Sequence, residues 1–113
     1  MNYRIELTRA AKADRTSCFD FINARNPEGA IAWLAAFEDA VEALLTEPHY
    51  GEAPESQHHD ETIRQKMFKT RHGRTYRILY LVREKVIYLL HVRGPGQDTM
   101  PRNEIRLPEA DDQ

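Results

Sequence analysis

Apolar positions along this chain change period more than once, and each change marks an element. Tyr3, Ile5 and Leu7 alternate with Arg4, Glu6 and Thr8, the period-two pattern of a strand with one buried face. Thr8 is suited to cap a helix, since its hydroxyl accepts from a free amide of the first turn. From Arg9 to about Ala24 the pattern turns helical: Ala11, Cys18, Phe19 and Ile22 fall on or near one face, with Arg9, Lys12 and Arg15 on a more polar side. Asn26-Pro27-Glu28 then restarts the chain as a second helix, with a capping Asn, a Pro pre-organised for the first helical position and an acid at the positive end of the dipole. Ala30, Leu34, Phe37, Val41 and Leu44, with Ile31 and Leu45 beside them, keep helical spacing until Pro48 ends it. A link of about two residues predicts that the helices form an antiparallel hairpin.

From His49 to about Glu61 the chain is polar and reads as a long loop. Between Ile63 and Lys69, Arg64, Lys66 and Phe68 point one way, and Ile63, Gln65 and Met67 the other. His72-Gly73 turns the chain into two apolar strands, Tyr76 to Val82 and Val86 to Arg93, joined by Arg83-Glu84-Lys85. The predicted class is α+β with order β-α-α-β-β-β. The last three strands form an antiparallel meander, the first joins the same sheet, and the helical hairpin packs on one face. The expected domain is 1–98. Residues 99–113 form a C-terminal tail in which Ile105 and Leu107 anchor a short piece and the last five residues are frayed and acidic.

Composition narrows this picture. A chain of 113 residues with 41% hydrophobic and 30% charged residues fits one soluble domain. The formal net charge of −2 speaks against a protein that lives on phosphates, while leaving room for a local basic face. One cysteine, Cys18, allows no internal disulfide or multi-cysteine zinc site and fits the reducing cytoplasm. Neither a signal peptide nor a membrane span is expected, because the N-terminus lacks an apolar core and no run approaches the roughly 20 residues a bilayer needs.

Arginine is costly to bury unpaired, so Arg77 and Arg93 on otherwise apolar strands must face solvent, an acid or a phosphate. They belong to a series, Arg64, Lys66, Lys69, Arg71, Arg74, Arg77 and Arg93, on the last three strands or their turns, interleaved with Tyr76, Tyr80 and Tyr88. That pattern fits a phosphate-tracking surface with stacking platforms, or a solvated sheet face over a core of tyrosines. His49, His58 and His59 share a loop with Asp60 and Glu61, but adjacent histidines do not easily point at one ion, and no metal or other cofactor is expected. His72 and His91, near the basic strands, are either general bases or structural histidines. A nucleophile elbow, a P-loop and a dinucleotide fingerprint are all lacking. Cys18 reads as an inert core thiol.

Tyr76-Arg77-Ile78-Leu79-Tyr80 on the penultimate strand, Ala30-x-x-Trp33-Leu34-x-x-Phe37 on the second helix, Leu44-x-x-x-Pro48-x-x-Gly51 at its end and His91-Val92-Arg93 closing the last strand follow one another in a familiar order. With that order the chain resembles, over about residues 3–98, the RelE/ParE superfamily of toxins from type II toxin–antitoxin pairs. The resemblance implies a cytoplasmic growth inhibitor of plasmid-stabilisation type, neutralised by a cognate antitoxin protein that wraps it. RelE-like members cleave messenger RNA on the ribosome; ParE-like members inhibit DNA gyrase. By motif match Arg77 and Arg93 take the positions of the family's strand arginines, and Lys66 and Lys69 those of its upstream lysines. In a ribonuclease, His91, Arg77 and Arg93 would be catalytic. In either branch Arg64, Lys66, Lys69, Arg71, Arg77 and Arg93 are the target- or RNA-binding set. No tyrosine or histidine follows Arg93, where the ribonuclease branch carries its C-terminal base or stacking residue. The reading therefore leans to the ParE-like, non-nuclease branch, with the ribosome-dependent endoribonuclease as the alternative and an oligomer compatible with both.

Overall fold

The computed structural model describes residues 2–108, so the acidic end expected to fray, 109–113, lies outside the described residues. Strand β1 (Arg4–Leu7) leads into helices α1 (Arg9–Asn23) and α2 (Pro27–Thr46), followed by β2 (Arg64–Phe68), β3 (Tyr76–Arg83) and β4 (Val86–Arg93). Short 3₁₀ turns occupy Pro54–His58 and Arg102–Glu104. The Thr8 hydroxyl accepts from the Ala11 amide at 3.1 Å and lies 2.9 Å from the Leu89 carbonyl, so one residue both starts α1 and ties it to β4. At the second restart the Asn26 side chain accepts from the Gly29 amide at 3.0 Å, with Pro27 in the first turn.

The sheet order is β1-β4-β3-β2. The last three strands form the expected antiparallel meander, while β1 lies parallel to β4, with Ile5 opposite Ile87 and Leu7 opposite Leu89. The sheet is therefore mixed. Parallel neighbours require a long connection, which the helices, the polar loop and the first two meander strands supply. The register shifts at Leu79/Tyr80: Leu79 faces His91 and Tyr80 faces Leu89, so Leu90 is an extra residue in β4.

Both faces of this sheet are covered. On one, Ile78, Tyr80, Ile87, Leu89 and Val92 pack against Ala11, Trp33, Phe37, Ala40 and Leu44 of the helical hairpin. On the other, Leu79, Leu81, Tyr88 and Leu90 lie under Ala53, Ile63, Met100 and Ile105, with Leu107 alongside. Burial on two sides explains why β3 and β4 read as continuous apolar runs rather than alternating ones. Trp33 packs against Phe37, Phe68 and Tyr76 with ring centroids 5.5–5.8 Å apart, joining α2 to β2 and β3. The buried Tyr80 hydroxyl donates to the Pro48 carbonyl at 2.8 Å and accepts from the Tyr50 amide at 3.1 Å, fixing the start of the polar loop.

Two local readings are corrected. The β3–β4 turn is tighter than the three residues expected, because Arg83 pairs with Val86 and stays in the strand. Its guanidinium is held by Glu61 at 2.6 and 2.7 Å, and Glu84 absorbs the turn at φ 53°. The stretch from His49 to Glu61 is more than a solvated loop: its 3₁₀ turn buries Glu55 and Ser56. Ser56 accepts from the Ile63 amide at 2.9 Å, which anchors the chain just before β2.

Candidate functional site

Arg77 stands at the start of β3 on the face away from the helices, and its charge is met from inside the molecule. Its Nη1 donates to Glu55 Oε1 at 2.9 Å and to Gln65 at 3.1 Å, and its Nη2 donates to Glu55 Oε2 at 2.6 Å. This is a bidentate pair with a carboxylate that has no exposed surface, while Arg77 itself keeps 14% of its side-chain exposure. The Met100 amide donates to the same carboxylate at 2.9 Å, so the pair also fastens the segment after β4. Burial drives the Glu55 carboxyl upward, but the Arg77 hydrogen bond, the Met100 amide and the Arg77 charge together outweigh it and hold it at about 2.

Arg93 lies directly opposite Arg77 in the ladder. Its Nη2 donates to the Asp98 carbonyl at 2.7 Å, and its Nε is buried without a hydrogen-bond partner among the described residues. His91 turns elsewhere. Beyond Leu89, where β1 stops pairing, Asp14 of α1 reaches β4 and lies 2.8 Å from His91 Nδ1 while accepting from the Val92 amide at 3.0 Å. The three residues proposed as catalytic thus lead to Glu55, Asp14 and Asp98, in three separate parts of the chain.

The remaining basic residues divide into two groups. Arg64 donates to the Tyr50 carbonyl at 2.6 Å, and Lys66 sits 4.1 Å over the Tyr50 ring. Lys69 and Arg71 are exposed on the β2–β3 loop together with His72 and Arg74. The tyrosines supply no open stacking platform: Tyr80 and Tyr88 are buried, and Tyr76 belongs to the Trp33 cluster. They are core residues.

Among the described residues no group of three or more His, Cys, Asp or Glu side chains is gathered to hold a metal ion. His49 packs edge-on against Tyr3, and His59 is shifted below the usual histidine range by burial, with Arg102 and His58 adding to the effect. The Cys18 thiol is pushed up to about 11 by burial and the nearby Asp14 charge, which keeps it protonated and unreactive. No helix among the described residues is long and apolar enough to cross a membrane.

Glu55 is the residue that sequence reasoning missed. An arginine on an apolar strand demands an acid, but Glu52, Asp60 and Glu61 share the same polar stretch, and only the 3₁₀ turn decides which of them points inward.

A helical hairpin on one face of a four-stranded mixed sheet, with this element order, is the architecture of the RelE/ParE-like toxins. A solved chain from a chromosomal ParDE TA system of P. aeruginosa matches it with a TM-score of 0.57 at 18% identity, covering 80% of this chain and 94% of that one, a likeness of fold. A family model described as the ParE toxin of type II toxin-antitoxin system, parDE, matches residues 5–99, and this chain belongs to that family. No curated protein matches it.

Proposed function

We propose that this chain is the toxin of a ParDE-type pair, held by a cognate antitoxin protein in the cytoplasm and, when released, stopping growth by binding DNA gyrase rather than by cutting RNA. The observation that carries the choice of branch is that Arg77, His91 and Arg93, though neighbours on β3 and β4, are each engaged by a different internal partner. Metal-free RNA cleavage needs a base for the 2′-hydroxyl, a stabiliser for the phosphorane and an acid for the leaving group, all within hydrogen-bond reach of one phosphate. Here Arg77 is committed to Glu55 and Gln65, His91 to Asp14 and Arg93 to the Asp98 carbonyl. That arrangement supports binding over catalysis, and it leaves the exposed Lys69, Arg71 and Arg74 of the β2–β3 loop as the residues with most to offer a partner.

The test takes purified toxin into two assays. Inhibition of gyrase supercoiling with translated messages left intact is the expected result. Cleaved messages with supercoiling unaffected would replace this reading with the ribosome-dependent endoribonuclease. The antitoxin is sought as the product of the adjacent reading frame, which should form a stable complex on co-purification and abolish the inhibition.

A further inference from the structure

We propose that the β2–β3 loop, together with Arg93, forms a docking rim for the sugar-phosphate backbone of duplex DNA. The proposal deepens the gyrase reading, on which the choice of DNA rests, since gyrase holds duplex DNA while it works.

Between Thr62 and Val82 the chain contains no Asp or Glu, yet carries Arg64, Lys66, Lys69, Arg71, Arg74 and Arg77. The structure satisfies three of these internally, Arg64 and Lys66 at Tyr50 and Arg77 at Glu55. Lys69, Arg71 and Arg74 are exposed and have no carboxylate partner among the described residues. They occupy one end of the sheet. Phe68 opposite Tyr76 closes the β2–β3 ladder, and the loop projects beyond it. Arg93 lies at the same end, since it faces Arg77 and a Cβ on the following Gly94 would lie 3.4 Å from the Tyr76 ring.

Two cations facing each other across a ladder repel, and Glu55 neutralises only Arg77. Arg93 adds its uncompensated charge to that of the loop. The loop also makes a turn. The Gly73 amide closes it on the Thr70 carbonyl at 3.3 Å, with Arg71 and His72 at the tip, and a Cβ at Gly73 would sit 2.2 Å from Thr70 Oγ1, so a side chain there would force the Thr70 hydroxyl to turn away.

The chemistry of the rim favours phosphodiester over an acidic protein segment. Lys69-Thr70-Arg71-His72-Gly73-Arg74-Thr75 offers cations and hydroxyls but no apolar anchor, whereas protein interfaces draw their energy from buried aromatic and aliphatic anchors. It also favours a duplex over a single strand, because single strands are held by stacking and the neighbouring tyrosines are packed into the core. The formal net charge of −2 opposes long-range attraction, so binding to free DNA should be weak and strongly dependent on salt.

The experiment titrates a fluorescein-labelled duplex of about 25 base pairs with the intact protein at about 50 mM salt, read by anisotropy. The expected dissociation constant is on the order of 10–100 µM and rises steeply with salt. The Arg71→Ala/Arg74→Ala double variant should lose about tenfold in affinity and flatten the slope of log K against log salt by about 2, with an unchanged melting temperature. Absence of binding overturns the proposal, as does a double variant that binds like the parent. Tighter binding to a single-stranded RNA of equal length, or to poly-glutamate, also overturns it. A parallel supercoiling assay separates the two claims. Duplex binding without gyrase inhibition removes the gyrase reading and keeps the rim, while gyrase inhibition without duplex binding removes the rim alone.

Discussion

Removing the Arg77 guanidinium would strand Glu55, an ionised carboxylate with no exposed surface, with the Met100 amide as its remaining partner among the described residues. Breaking a buried pair by deleting one partner costs about 3–5 kcal/mol, a large share of a small domain's stability. Arg77→Ala should therefore show a greatly lowered melting temperature or fail to accumulate, whatever the residue does for a target. A loss of toxicity in that variant reports on folding first, and circular dichroism melting checks it. The same pair gives stability a pH dependence with a definite sign. Glu55 is held at about 2, below its ordinary value of 4.5, so its contribution is complete above about pH 5 and drains away as pH falls toward 2. The full effect is on the order of 3 kcal/mol. Chemical denaturation from pH 6 to pH 2.5 should show that decline, and Glu55→Gln, less stable at neutral pH, should show a shallower one.

The turn between β3 and β4 sets a smaller test at the level of elements. Glu84 occupies the left-handed region at φ 53°, which costs an ordinary side chain roughly 1 kcal/mol and asparagine less. Glu84→Asn should raise stability by up to about 1 kcal/mol in urea titrations, with no change in the slope. The helices and the meander were legible in the sequence because their signals are local: Asn26-Pro27-Glu28 states a helix start outright, and Pro48 states its end. The orientation of β1 was not legible, since its pairing with β4 is settled by packing across most of the chain length. The inward turn of Glu55 was hidden for the same reason. Of the candidate site, the cationic character of the strands could be read directly, but which cations remain open could not. Arg64, Lys66, Arg71 and Arg77 look equivalent in a row of letters until Tyr50 and Glu55 claim three of them.

At the scale of the whole molecule, the sheet is shielded by two unequal layers, a helical hairpin and a thin cover made from the polar loop and the segment after Asp98. Met100 and Ile105 are each only 5% exposed, and burying side chains of this size is worth about 1.5–3 kcal/mol apiece. A chain ending at Asp98 would lose both, along with the Met100 amide on Glu55, and would uncover Leu79, Leu81 and Leu90. It should bind a hydrophobic dye such as ANS and melt well below the full chain, and a truncated chain with the parent's melting curve would show that the cover contributes nothing. The helical side offers a different opportunity. Trp33 is the sole tryptophan, it is 2% exposed, and two of its ring neighbours, Phe68 and Tyr76, are the residues between which the β2–β3 loop is strung. The protein thus carries its own optical reporter at the root of that loop. A ligand that pulls on the loop, or an antitoxin that shifts α2 against the sheet, should alter the emission wavelength or quantum yield without any label being introduced.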